Sequence, residues 1–239
     1  MSLEPEDKPK FYGRRQGRKI RKAKSCLLDS FLPKVMLNPS NPLEFGINPE
    51  KIYLEIGFGD GGHLAAYSER HPKIAFIGAE VFKNGVANLL GLITGVKEGE
   101  DVCEEINLLP SRVDNVRIFN DDIRLLFPLI PDSSIDQVFL LFPDPWPKKR
   151  HEPRRFVNPT NLQEIARILK PNGILRVATD HKVYKYWTLR QLHLNKDFVW
   201  TAQCGDDWKQ EPNDWVQTKY QRKAIREGRK PVFFEFKRL

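Results

Sequence analysis

The sequence predicts an α/β fold: a mostly parallel, doubly wound sheet of seven strands with helices on both faces. Three observations point to it. Short apolar runs alternate with segments of helix length through most of the chain. One of these runs, residues 52–56, passes directly into Gly57, Gly59, Gly61 and Gly62 and then into a helix start, the corner at which such sheets hold ligands. Polar side chains also recur where the strands should end: Glu55, Glu80, Asn120-Asp121, Asp144 and Asp180. In an open α/β sheet the crevice beyond those ends is the binding site.

Residues 1–19 are basic and interrupted by Gly and Pro, and they read as a flexible arm. Phe11, Tyr12, Arg14 and Arg15 interleave aromatic rings with guanidinium groups, a composition that stacks bases and pairs phosphates. Residues 20–32 predict a short helix ended by Pro33, and 38–49, rich in Pro, Asn and Ser, a linker. The organisation expected is an arm and linker over 1–45 and one catalytic domain over 46–239. Within that domain the strands are expected at 52–56, 74–79, 116–119, 136–141, 174–178, 198–202 and 232–237. Helices are expected at 62–70, 82–96, 159–169, 183–194 and 218–227, with a short helical piece at 101–109 inside an acidic connection. The helix over 159–169 is expected to stop at Pro171-Asn172-Gly173.

The 239 residues suit one α/β domain with extensions. Net charge is +8, and it is unevenly placed. Residues 8–24, 148–155 and 219–230 hold twenty Lys or Arg against two acids, leaving a net-acidic remainder. A charge pattern of that kind points to a nucleic acid partner. Cys26, Cys103 and Cys204 form no C-x-x-C pair, and their odd number argues against a disulfide framework, so reduced thiols are expected. The five histidines show no metal-ligand spacing, and no metal is expected. The first ten residues lack the apolar core of a signal peptide and no long apolar span occurs, so the expected location is cytoplasmic, with no membrane association. Nothing calls for an obligate protein partner; a monomer or a homodimer is expected.

Residues 141–155, LFPDPWPKKRHEPRR, form the most specific stretch. Two prolines stiffen the loop after the fourth strand and hold Asp144 between them. Trp146 offers a stacking face, and Lys148, Arg150, Arg154 and Arg155 follow. A rigid carboxylate, an aromatic ring and a basic run together make a base pocket beside a phosphate track.

These motifs carry a family resemblance. Glu55-Ile56-Gly57-Phe58-Gly59, Gly78-Ala79-Glu80 and Phe142-Pro143-Asp144-Pro145-Trp146-Pro147-Lys148-Lys149-Arg150-His151 resemble the bacterial tRNA (guanine-N7)-methyltransferases, with Thr179-Asp180, Thr218-Lys219-Tyr220 and the arm motif Tyr12-Gly13-Arg14-Arg15 in agreement. The similarity spans residue 11 to the end. It implies a Rossmann-like class I methyltransferase fold and transfer of a methyl group from S-adenosylmethionine (SAM) to N7 of guanine in tRNA, at variable-loop position 46 in tRNA numbering. It implies Glu55, Glu80, Asp121 and Asp144 around SAM, with Asp144 also the catalytic-site acid. Gly57 and Gly59 let the cofactor approach the backbone. Glu80 stands 23 residues after Gly57, where a carboxylate meets a ribose diol, and Asn120 or Asp121 is placed to bind the adenine amino group. Lys148, Asp180, Thr218, Tyr220 and Gln221 are implied at the substrate, and Arg150, Arg154 and Arg155 on the RNA. One departure stands out: Gln221 occupies a position where the family usually has Glu. A Gln offers guanine one acceptor where a carboxylate offers two.

Three rivals share parts of the pattern. An exocyclic-amine or DNA methyltransferase would use the same fold. An NAD-dependent oxidoreductase accounts for the glycines but lacks a hydride partner. A non-catalytic RNA-binding module accounts for the charge and leaves the strand-end acids unexplained.

Overall fold

A computed structural model of the chain describes residues 9–96 and 114–239; the acidic connection and the helical piece expected at 101–109 lie outside them. The strands are β1 (Lys51–Ile56), β2 (Ile74–Ala79), β3 (Val116–Phe119), β4 (Ile135–Leu141), β5 (Leu169–Thr179), β6 (Phe198–Trp200) and β7 (Val232–Arg238). They form one sheet in the order β3-β2-β1-β4-β5-β7-β6. Pairing is parallel from β3 through to β5, and β7 runs antiparallel to both β5 and β6. The strand order reverses at β1, which pairs with β2 on one side and β4 on the other. A crevice opens at such a switch point because the connections leave in opposite directions.

Strand periodicity separates the core into two faces. Leu54 and Ile56 of β1 and Val138 and Leu140 of β4 belong to one buried cluster, with Leu162 and Ile165 of α6 (Pro159–Ile168) and Tyr184 of α7 (Lys182–His193). Phe139 and Leu141 belong to the other, with Leu64 and Tyr67 of α3 (Gly62–Arg70) and Val86 and Leu90 of α4 (Lys83–Thr94). Tyr53 packs against that second cluster. Truncating a fully buried residue such as Leu54 to Ala would cost about 2–5 kcal/mol.

Several expected boundaries move, each for a local reason. The helix expected to end at Pro33 continues: α1 (Lys22–Cys26) passes through a π turn (Leu27–Phe31) into α2 (Leu32–Val35). Pro33 sits in the first turn of α2, directly after the π turn whose wider bond runs from Leu32 N to Leu27 O. Leu27, Phe31 and Val35 are buried in the cluster that also holds Val86, so this part of the expected arm and linker contributes to the core. Pro171-Asn172-Gly173 is not a break before the fifth strand. It lies inside β5, where the pairing shifts register between Ile135 and Gln137 of β4, and Asn172 adopts φ 64° there. A short helix, α5 (Ile123–Leu126), was not expected; Asp122 caps it by accepting from Arg124 N. The last helix, α8 (Lys219–Arg226), is capped by Thr218. Cys204 is an exposed free thiol. Cys26 is disulfide-bonded, against the expectation of reduced thiols; an odd count leaves one thiol over but does not forbid a single bridge. Among the described residues no helix is long and apolar enough to cross a membrane, and no group of His, Cys, Asp and Glu could hold a metal.

Candidate active site

A cleft of about 660 Å³ opens beyond the carboxyl ends of the parallel strands. It brings together Gly57 and Gly59 after β1, Glu80 after β2, Asp121 after β3, Asp144 after β4 and Tyr220 of α8. Its volume lies in the range of small-molecule sites.

The glycine turn is held from two sides. Gly57 and Gly59 take φ values of 69° and 60°, which a side chain would disfavour. The Glu80 carboxylate accepts from Gly59 N on one oxygen and from Phe82 N on the other, both at 2.8 Å. From α4, Asn88 donates to Asp60 O at 2.7 Å, and a Cβ on Gly85 would stand 2.0 Å from Gly59 O. Glu80 is only 9% exposed, and burial pushes its carboxyl above the usual Glu range despite the bonds from Phe82 and Gly59. A carboxylate has roughly four acceptor positions, and Val81 adds a third backbone bond, so about one or two remain. The Tyr220 phenol is pushed up as well, first by burial and then by Glu80, Asp60 and Asp144, which marks the acidic character of this end of the cleft.

The donor and acceptor set suits a cationic nucleoside such as SAM. Glu80 has acceptors left for a diol, Asp121 and Asp144 add negative charge, and a Cβ at Gly57 would meet nothing within 4 Å, leaving open space over the backbone.

The Asp144 loop is set by unusual backbone. Phe142 and Trp146, on either side of Pro143-Asp144-Pro145, have φ values of 52° and 41°. Each non-glycine residue in that region costs about 1–3 kcal/mol and persists only where its surroundings fix it. Phe142 N donates to Ala178 O at 2.8 Å, tying the loop to β5. Asp144 is exposed toward the cleft. The Arg154 guanidinium lies 5.0 Å over the Trp146 ring and 4.6 Å over Tyr12. The His151 ring packs edge-on against Trp146 at 5.5 Å. Desolvation first, then Arg154, Arg150 and Lys148, lower the His151 pKa from its ordinary value.

The expected free arm lies along the cleft's rim. Residues 10–14 line the cleft, Arg15 Nη1 meets Asp121 Oδ1 at 2.9 Å, and Lys83 N donates to Arg15 O at 2.9 Å. Asn84 brackets the next residues, accepting from Gly17 N and donating to Arg18 O, both at 2.7 Å. Backbone groups that composition assigns to solvent thus find partners on α4.

Other anticipated residues lie elsewhere. Glu55 is buried at 3% exposure, with Oε2 2.7 Å from His63 Nδ1 of α3, and does not line the cleft. Strand alternation sends it to the α3 face while its neighbour Ile56 lines the cleft. Asn120 is also outside the lining, and Asp121 occupies it instead. Arg155, expected on the RNA, is buried: at 2% exposure it donates to the carbonyls of Pro145 and Trp146. Gln221 is 1% exposed and fully engaged, accepting from Trp215 Nε1 and donating to Glu211 Oε1, both at 2.6 Å. It faces the protein interior because it follows Tyr220 on α8, and one helical step rotates it away from the cleft. Thr218 is buried as the cap of α8, accepting from Gln221 N. Asp180 accepts from Arg229 Nε at 2.6 Å outside the cleft. Lys148 and Arg150 are exposed beside the Asp144 loop. Sequence reasoning missed Gly85, whose missing side chain lets α4 abut the glycine turn. It also missed the Asp122–Arg124 pair, for which an Asp-Asp helix cap was a usable signal.

Residues 49–234 match a family described as "Putative methyltransferase". A tRNA (guanine-N(7)-)-methyltransferase of Rhodospirillum rubrum is 39% identical over 247 residues, covering 100% of this chain and 91% of that protein. One from Paramagnetospirillum magneticum is 40% identical, covering 97% and 94%. Among solved structures, the 16S rRNA methyltransferase KamB superposes with a TM-score of 0.53 at 14% identity, over 80% of this chain and 88% of that one. An rRNA methylase from Streptococcus thermophilus gives 0.50 at 12% identity, over 89% and 95%. At such identities the likeness concerns the fold alone.

Proposed function

This chain belongs to the tRNA (guanine-N(7)-)-methyltransferase family, and from that premise we propose how its own residues divide the work. The reaction moves a methyl group from SAM to N7 of a guanine in tRNA. We place that guanine at variable-loop position 46, the position that the family resemblance implies.

Bound SAM supplies an electrophilic methyl group on a positively charged sulfur. Glu80 offers its remaining acceptor positions to the ribose hydroxyls while one oxygen holds Gly59 N of the glycine turn and the other Phe82 N. Asp121 takes the adenine side of the cleft once Arg15 releases it. Guanine N7 carries an in-plane lone pair and no proton, so its methylation needs no general base. The purine ring gains positive charge as the bond forms. Asp144, a carboxylate on a pinned loop in the same cleft, stabilises that charge and orients the base. Tyr220 and Trp146 flank the base, and Lys148, Arg150 and Arg154 meet the RNA backbone around it.

The observation that carries this reading is the convergence of Glu80 and Asp144 on one cleft from the ends of different strands. Asp144→Asn keeps size and loses charge. Single-turnover methylation of tRNA at saturating SAM should slow by about 10²–10³, the scale of losing one preorganised electrostatic stabiliser. A near-wild-type rate would remove Asp144 from the chemistry. A large loss that recovers at high pH would favour an amine nucleophile, which has a proton to lose.

A further inference from the structure

We propose that Arg155 is a positioning residue for Asp144, a buried guanidinium that fixes the P-D-P-W loop from beneath, and not an RNA contact. The proposal rests on the reading of Asp144 given above. Arg155 is 2% exposed. Its Nε donates to the carbonyl oxygens of Pro145 and Trp146 at 3.3 Å, and its Nη2 donates to Trp146 O at 3.1 Å. The loop has few other handles. Pro143 and Pro145 have no N–H, so the peptide units around Asp144 are held chiefly through their carbonyls. Trp146, the residue at φ 41°, receives two of the three bonds.

The guanidinium is itself fixed. It lies 4.5 Å over the Trp187 ring, and its Nη1 is 3.5 Å from Glu152 Oε1. Trp187 Nε1 donates to Val157 O at 2.6 Å, and Val157 N donates to the hydroxyl of the fully buried Tyr184 at 3.3 Å. Tyr184 and Trp187 are three residues apart on α7 and share a face. A continuous chain of interactions thus runs from α7, through Arg155, to the peptide units next to Asp144. A planar fork holds several donors in fixed directions while stacking flat on an indole; a Lys ammonium has three donors but no plane to stack and no fixed fork.

The test uses Arg155→Lys, Arg155→Met, Asp144→Asn and the double variant Asp144→Asn/Arg155→Lys in the full chain. The readouts are single-turnover rate at saturating SAM and tRNA, the salt dependence of tRNA affinity, and thermal unfolding. Arg155→Lys should slow the rate by about tenfold to a hundredfold, the cost of a misplacement near 1 Å, and leave the salt slope unchanged. The double variant should be no more than about twofold slower than Asp144→Asn alone, within ordinary additivity error. Three results would overturn the proposal: wild-type rates in both Arg155 variants, a salt slope shallower by about 0.7–0.9, which means that one phosphate is no longer neutralised, or a double variant slowed by the full product of the single effects. A slow Arg155→Lys beside an unimpaired Asp144→Asn would instead sink the role of Asp144. If the Arg155 variants do not fold, Trp187→Phe, which keeps a ring under the guanidinium and drops the bond to Val157 O, enters the same cycle with Asp144→Asn. Full additivity there would likewise overturn the proposal.

Discussion

Glu80→Gln preserves the shape of a side chain that holds both the glycine turn and, on our reading, the cofactor ribose. Glu80 accepts one 2.8 Å bond on each oxygen, from Gly59 N and from Phe82 N. Gln has a single carbonyl oxygen, and its amide nitrogen would face the second N–H. One bond to a carboxylate is removed and a backbone donor is orphaned, while the desolvation cost of the buried charge is relieved, so folding at neutral pH should weaken by about 1–2 kcal/mol. Removing one bond to the ribose should cost SAM about 1.5–3 kcal/mol, or about ten- to 150-fold in Kd. Burial holds the Glu80 carboxyl above its ordinary 4.5. Its contribution to folding stability is therefore complete below the ordinary pKa and is lost as pH rises through the raised one. SAM affinity runs the other way, because the ribose needs the ionised acceptor. It should fall on acidification with a midpoint above 4.5, and that midpoint should vanish in Glu80→Gln. Calorimetric titration of SAM at a series of pH values, with thermal melts alongside, reads both effects. A destabilised Glu80→Gln that binds SAM as wild type does would refute the ribose role and leave Glu80 as a staple of the turn.

Three other outcomes are expected. Gly85→Ala should gain about 1 kcal/mol of helix propensity, yet its Cβ would stand 2.0 Å from Gly59 O; SAM Kd should rise about tenfold or more, and an unchanged Kd would show that the turn yields freely. Gln221→Glu restores the usual family residue but faces Glu211 Oε1 with a second carboxylate, so it should destabilise by about 1–3 kcal/mol at neutral pH. The pair would share a proton with a raised pKa, so melts should show the deficit shrinking as pH falls; equal stability at pH 7 would contradict this geometry. Removing residues 1–19 should flatten the log–log salt dependence of tRNA binding by about 0.7–0.9 for each phosphate that the arm neutralises. Thermal stability should fall modestly: the Arg15–Asp121 pair is exposed and contributes little, but Lys83 N and Asn84 lose their partners on residues 15–18. An unchanged slope would mean that the arm takes no phosphates.

The sequence by itself determined the sheet and its binding edge. Strands, helices and the glycine turn are written in local periodicity and in residues with special backbone freedom, so β2, β3 and α3 fall where the pattern puts them. The convergence of Glu80, Asp121 and Asp144 follows from topology, because parallel strands deliver their carboxyl ends to one edge. Tertiary structure decided which side chains reach that edge. Glu55 is one residue from a cleft-lining position, and strand alternation turns it to His63. Gln221 is one residue from Tyr220, and helical rotation turns it to Trp215 and Glu211. Arg154 and Arg155 are adjacent in a basic run, yet one stacks at the cleft and the other is buried under Trp146. A charge run reads the same at every position in sequence. Whether a given cation faces solvent or closes a loop depends on the carbonyls that the loop turns inward and on a ring brought in from α7, more than thirty residues away, which no local pattern encodes.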